Sequence, residues 1–151
     1  MKKNLTEVQI KSLIADAIDA RSFSYSPYSN YQVGAALLTK SGKVYKGCNI
    51  ENAAFTPTVC AERTAVFKAV SEGETEFEAI AFIGGPKGVK QEYKDFDSVV
   101  KSGPCGVCRQ VLLEFSSDLT LIGAKSLDDY FVTSLDVLVP MPFGPKNLGK
   151  L

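Results

Sequence analysis

Cys105 and Cys108 form a Cys-x-x-Cys pair directly after Pro104, and a third cysteine, Cys60, is followed two residues later by Glu62. At the start of a helix that spacing brings both sulfurs of the pair to a common side. If Cys60 opens a second helix aimed at the same spot, three thiolates converge on one ion and leave the fourth corner of a tetrahedron free, as a catalytic zinc requires. A closed structural site takes a fourth protein ligand instead. Glu62 is too close to Cys60 along the backbone to be an equally good ligand. It is well placed beside the open corner, where a carboxylate can take the proton of metal-activated water and hand it to a substrate nitrogen.

Three thiolates around Zn²⁺ carry a formal charge of minus one, which weakens the metal as a Lewis acid. The positive ends of two helix dipoles and the guanidinium of Arg63 offset this, and Arg63 is expected to donate to thiolate sulfur and tune the metal. Arg109 is a further candidate for that task. Two other readings of the cysteines stay open. A thiol-redox pair leaves Cys60 and Glu62 unexplained. A structural zinc site with Cys48 as fourth ligand must explain why Cys48 stands directly before Asn49-Ile50-Glu51, a place better suited to hydrogen-bonding a small molecule. Cys48 fits better as a small buried apolar residue.

The chain around these residues has 151 positions, 45% hydrophobic and 23% charged, with 17 basic and 17 acidic side chains, four Cys and no His or Trp. This suits a single domain, residues 1–151, able to bury roughly two-thirds of its unfolded surface. A formal charge of zero offers no broad field for phosphates, so nucleic acid is not expected as a partner. Without His, catalysis rests on carboxylates, Lys, Tyr or Cys. The N-terminus shows no secretory pattern and no run is long enough to span a membrane, so a cytoplasmic location is expected. There, cysteines serve as metal ligands, catalytic groups or buried residues more often than as disulfides.

The positioning elements follow from periodicity and turn chemistry. Apolar residues Val8, Ile10, Leu13, Ile14, Ala17 and Ile18 predict an amphipathic helix from Thr6 to about Ala20. A turn-rich segment follows at 24–30, then a hairpin of Tyr31 to Thr39 and Lys43 to Asn49. Thr56 or Thr58 is expected to cap a second helix from about Val59 to Ser71, with Pro57 in its first turn. Phe77 to Gly84 reads as a buried strand, and 86–103 as a polar surface excursion. A third helix opening at 102–104 and running through Phe115 precedes strands at Leu119 to Ala124 and Tyr130 to Thr133. The Pro-rich end, Leu138 to Pro145, is excluded from regular helix or central strand. Alternating strands and helices predict an α/β domain of three layers, with a mixed sheet of about five strands flanked by helices.

The motifs Cys60-Ala61-Glu62 and Pro104-Cys105-Gly106-Val107-Cys108 match the zinc-deaminase signature. Together with Pro27 to Leu37, Gly47 to Ala53 and Pro142-Phe143-Gly144-Pro145, they make the chain resemble the small, three-cysteine class of the cytidine deaminase family. The resemblance covers nearly the whole chain. It implies the cytidine deaminase-like fold, one zinc per subunit on Cys60, Cys105 and Cys108, and Glu62 as proton shuttle. It also implies that Asn49 and Glu51 bind ribose, that Tyr31 lies against the nucleoside, and that Ala61 lines the substrate. Phe143 would enter a neighbouring subunit's site in a homotetramer whose active sites are completed by neighbours. The implied reaction is hydrolysis of cytidine and 2′-deoxycytidine to uridine and 2′-deoxyuridine with release of ammonia. Two stretches depart from compact relatives: Val89 to Asp97 is longer, and Phe55-Thr56-Pro57-Thr58 differs in sequence.

Overall fold

The computed structural model describes residues 4–89 and 103–150. Helix α1 (Glu7–Arg21) opens on a capping box, in which the Thr6 hydroxyl accepts from the Gln9 backbone and the Gln9 side chain accepts from Thr6. This satisfies two N–H groups that the helix itself leaves without partners. Strands β1 (Tyr31–Thr39) and β2 (Val44–Cys48) form the expected hairpin. Helix α2 (Ala61–Ser71), strand β3 (Phe77–Pro86), helix α3 (Gly106–Phe115), and strands β4 (Thr120–Ala124) and β5 (Tyr130–Ser134) follow.

The sheet has five strands in the order β2-β1-β3-β4-β5, with β3 and β4 parallel and the other neighbours antiparallel. Side chains alternate between its faces. Ala36, Ala79, Ala81, Ile83, Ile122 and Ala124 pack against Leu13, Ile14 and Ala17 of α1. Ala35, Leu37, Ile80, Phe82 and Leu121 pack on the other side against Ala61, Ala65, Val66 and Ala69 of α2 and Leu112 and Leu113 of α3. Phe77 joins this second face although its parity opposes it, because the β1–β3 register shifts between Leu38 and Thr39. The three-layer α/β expectation holds.

Three local expectations are corrected. Val8 and Ile18, assigned to the apolar face of α1, are exposed. Helix α2 starts at Ala61 with Cys60 as N-cap, leaving Thr56, Pro57 and Thr58 outside. The cause is an antiparallel bridge between Ile50 and Val59, whose two backbone bonds hold Val59 extended, while the Thr58 hydroxyl accepts from Asn52 N. Helix α3 likewise starts at Gly106 rather than at 102–104. The Pro-rich stretch keeps 139–144 free of regular helix and strand as expected, flanked by a one-turn helix α4 (Leu135–Leu138) and a 3₁₀ turn (Pro145–Leu148), the latter with proline at its start. The polar excursion lies outside the described residues except for 86–89 and 103.

Gly47 sets the height of α2 on the sheet. A Cβ there would lie 2.4 Å from Ala65 N and 2.6 Å from Ala61 O. The backbones of β2 and α2 therefore touch directly, which fixes the first turn of α2 and the cysteine that caps it. Gly47→Ala should destabilise the protein by about 1–3 kcal/mol or more, as overpacked cores do, read as a lower urea midpoint.

Candidate metal centre and active site

Helices α2 and α3 share an unusual start, because the N-cap of each is a cysteine in extended conformation, Cys60 (φ −74, ψ 156) and Cys105 (φ −64, ψ 165). The Cys60 side chain makes no capping bond, which leaves its sulfur available, and the Cys105 sulfur accepts from Cys108 N at 3.4 Å. Cys108 sits one turn into α3 and is fully buried. The sulfurs of Cys60, Cys105 and Cys108 lie within 4.8 Å of one another, with Cys60 and Cys105 3.7 Å apart. Four ligands at a zinc–sulfur distance of about 2.3 Å stand about 3.8 Å apart at the corners of a tetrahedron. The donors fit zinc.

Among the described residues this is the group of Cys, His, Asp and Glu with such spacing, and it leaves out Cys48. Cys48 ends β2 half-buried, with its thiol pushed up by that burial. The four-cysteine structural reading therefore loses its fourth ligand.

Electrostatics separate the three thiols. The Cys60 thiol is held well below its ordinary value, first by a hydrogen bond from Cys108 and then by Arg63 and Cys105, against the cost of burial. The Cys108 thiol, as donor in that bond and buried, is pushed up. Two helix N-termini add positive potential where thiolate charge collects. Arg63 reaches Cys60 Sγ through Nη2 at 3.5 Å, and its buried Nε has no partner among the described residues. Arg109 does not share this role. It donates from Nε to Pro104 O at 2.7 Å and from Nη1 to Leu138 O at 3.1 Å, bracing the loop before Cys105 and the C-terminal segment. Arg63→Gln should weaken metal binding by the roughly 10–100-fold typical of groups that support metal ligands, measured by competition with a chelator.

Glu62 lies in the first turn of α2, 6% exposed, with Oε2 3.9 Å from Cys108 Sγ. Burial pushes its carboxyl up to about 7, with the charge near Cys60 adding to the rise and Arg63 opposing it. A carboxyl poised near neutrality can both accept and return a proton. Ala61, between Cys60 and Glu62, is fully buried.

A second cluster adjoins the first through the Ile50–Val59 bridge, which seats Asn49 and Glu51 beside the residue preceding Cys60. Asn49 Oδ1 accepts from Val33 N at 2.9 Å and from Ser24 Oγ at 2.5 Å, and Nδ2 donates to Tyr31 O at 2.8 Å. Glu51 Oε1 accepts from the backbone N–H groups of Tyr28 and Ser29, and Oε2 accepts from Ser29 Oγ at 2.5 Å. The Ser29 hydroxyl and then these backbone groups hold the Glu51 carboxyl below its ordinary value. Tyr31 is 42% exposed and its ring lies against Gly84, on the sheet face that carries α2 and α3.

The structure thus gathers Cys60, Cys105, Cys108, Glu62 and Arg63 at one centre and Asn49, Glu51 and Tyr31 at its flank. Phe143 is apart: Gln110 Nε2 donates to its carbonyl at 2.9 Å while its ring stays 64% exposed. Sequence reasoning passed over Ser24 and Ser29. Their only signal was their place in a turn-rich segment.

A three-layer α/β domain whose helix N-termini bring together three cysteine sulfurs and a buried carboxyl is the framework of a zinc-dependent hydrolase. A family model described as the cytidine and deoxycytidylate deaminase zinc-binding region matches residues 7–124. The chain is 50% identical over 138 residues to a cytidine deaminase of Halalkalibacterium halodurans, covering 91% of this chain and 96% of that one. It is 40% identical over 143 residues to a cytidine deaminase of Sporosarcina psychrophila, covering 94% and 96% respectively. The crystal structure of a cytidine deaminase from Burkholderia pseudomallei superposes with a TM-score of 0.72 at 42% identity, covering 87% of this chain and 97% of that one. The chain belongs to the cytidine and deoxycytidylate deaminase family.

Proposed function

We propose that the chain hydrolyses cytidine and 2′-deoxycytidine to uridine and 2′-deoxyuridine, consuming water and releasing ammonia. The observation that carries this is the buried Glu62 carboxyl beside three clustered sulfurs that fit a zinc ion with one corner to spare. Zinc held by Cys60, Cys105 and Cys108 would supply Lewis-acid activation of water. Glu62 accepts a proton from the attacking water and passes it to N3 of the pyrimidine, then takes the second proton from the hydroxyl now on C4 and delivers it to the amino group, which leaves as ammonia as C4 becomes a carbonyl. No other side chain in the centre has that freedom, since Arg63 stays charged and the sulfurs are ligands.

The sugar side is read by what Asn49 and Glu51 have left over. Asn49 retains one amide hydrogen and Glu51 Oε2 retains acceptor capacity, a donor and an acceptor that suit a ring hydroxyl. Tyr31 supplies an aromatic face for the nucleoside, with buried Ala61 beneath the reacting centre. The exposed Phe143 suits a pocket in a neighbouring subunit, as do Met141 and Leu148, which are 98% and 68% exposed in the same segment. We therefore propose a homotetramer with one zinc per subunit and sites completed by neighbours. No described helix is long and apolar enough to cross a membrane. Thiolate ligands and a small nucleoside substrate favour the reducing cytoplasm.

A substrate panel tests the assignment. Cytidine and 2′-deoxycytidine should both be converted, with free cytosine slower by about 10²-fold or more because it leaves the hydroxyl-reading groups unpaired. Preference for an aminopyrimidine nucleoside antibiotic, or comparable rates on single-stranded DNA, would overturn it.

A further inference from the structure

We propose that Ser29 is a positioning residue for the substrate, its hydroxyl aiming Glu51 and tying that carboxylate to Tyr31. The inference rests on the reading of Glu51 as a sugar contact. Three hydrogen bonds hold the Glu51 carboxylate, two from backbone N–H groups to Oε1 and one from Ser29 Oγ to Oε2. Ser29 provides two of the three, because its own N–H is one of the backbone donors.

A carboxylate has about four acceptor positions. The backbone fills those of Oε1, and the Ser29 hydroxyl fills one on Oε2, so the remaining position has a set direction. An acceptor held in one direction matches a hydroxyl donor. Without the Ser29 hydroxyl, Oε2 has two open positions, and the terminal torsion of a glutamate is soft enough to let the group wander between them.

The same oxygen also works in the other direction, since Ser29 Oγ accepts from Tyr31 N at 3.0 Å. The Tyr31 carbonyl is held by Asn49 Nδ2 at 2.8 Å. Both backbone polar groups of Tyr31 are thus tied to the pair proposed to read the sugar, the carbonyl directly by Asn49 and the N–H by way of Ser29. Glu51, Ser29, Tyr31 and Asn49 form one connected path, and a sugar hydroxyl between Glu51 and Asn49 would close it. The turn that makes this possible passes through Asn30 in the left-handed region (φ 57), a conformation that Asn tolerates better than most residues, with Asn30 N bonded to Ser26 O. It folds the Ser29 hydroxyl back under the Tyr31 amide.

A purely scaffolding serine would affect every substrate alike. A positioning serine acts most strongly on substrates with the hydroxyl that Glu51 reads, and only weakly, through Tyr31, on those without it. Two variants, Ser29→Ala and Ser29→Thr, separate these with two readouts. In the first, ¹³C-labelled glutamate reports the Glu51 carboxyl titration, assigned with Glu51→Gln. Its midpoint should rise in Ser29→Ala and stay at the wild-type position in Ser29→Thr. In the second, kcat and KM are measured for cytidine and for 2′,3′-dideoxycytidine, which lacks both ring hydroxyls.

Ser29→Ala should raise KM for cytidine about tenfold, while kcat for cytidine and both constants for the dideoxy analogue change less than about twofold. Ser29→Thr should restore cytidine. Equal losses on both substrates, a fall in kcat at unchanged KM, or an unmoved Glu51 midpoint would overturn the assignment. Wild-type protein that fails to convert cytidine would instead refute the proposed function, and the Glu51 titration would still decide whether Ser29 aims that carboxylate.

Discussion

Glu62→Gln should lower the turnover of cytidine by about 10²–10⁴-fold, the range of a positioned general acid–base group, while zinc content stays at the wild-type level. The substitution keeps the size and shape of a side chain that is 6% exposed, so packing is preserved. It removes the group able to accept and return a proton. No His exists in the chain to substitute for it. Turnover near wild type in a zinc-loaded variant would remove Glu62 from the mechanism.

The same variant has a distinct signature in the metal-free protein. Burial raises the folded-state value of Glu62 to about 7 from an ordinary 4.5, so the folded state holds this proton more tightly than the unfolded chain does. The contribution of Glu62 to stability is therefore full below pH 4.5, declines as pH rises through 7, and is then lost. Gln has no proton to lose. The stability of Glu62→Gln relative to wild type should be level near pH 4.5 and rise by about 3 kcal/mol by pH 8, read from urea midpoints of metal-free protein.

Cys105→Ser should abolish retention of the metal, and activity with it, without unfolding α3. The Cys105 sulfur accepts from Cys108 N at the start of the helix and is one of the three sulfurs that could hold the metal. Serine is among the best N-cap residues, so it performs the capping task at least as well as cysteine. It is a poor ligand for zinc at neutral pH. The loss in metal affinity should exceed the roughly 10–100-fold expected for Arg63→Gln, because a ligand is removed rather than a supporting group. Melting of the metal-free variant should stay close to that of metal-free wild type. Zinc retained at full stoichiometry, measured by elemental analysis after dialysis, would contradict the three-cysteine site.

The metal centre was legible in the sequence because its signals are local. Cys-x-x-Cys at a helix start and Cys-x-Glu at another leave few geometries open, and both helix starts meet as expected. Their exact boundaries were not legible. Thr58 looks like an N-cap until Ile50 pairs with Val59 across the fold and holds the chain extended up to Cys60. Arg109 sits beside Cys108 in sequence just as Arg63 stands near Cys60, yet its guanidinium is drawn to the carbonyls of Pro104 and Leu138. Which partner an arginine finds depends on packing that spacing does not encode.

The sugar-side cluster was half legible. Asn49 and Glu51 could be marked as polar residues at a strand end, equally suited to a turn or to a ligand. They serve the turn visibly, anchoring 24–31 with all but a fraction of their hydrogen-bonding capacity. What remains unused is one donor and one acceptor, which the proposed function assigns to the sugar. Ser24 and Ser29 carried no signal beyond their turn-rich segment because Asn49 and Glu51, which they hold, lie more than twenty residues away.

The most direct measurement is to determine the zinc content of the purified chain and follow cytidine conversion before chelation, after it, and after zinc is restored. One zinc per chain, uridine and ammonia in equal amounts, loss of turnover with the metal and recovery on its return are the expected results. Undiminished conversion of cytidine by metal-free protein, or zinc-loaded protein that leaves cytidine intact, would contradict the central claim.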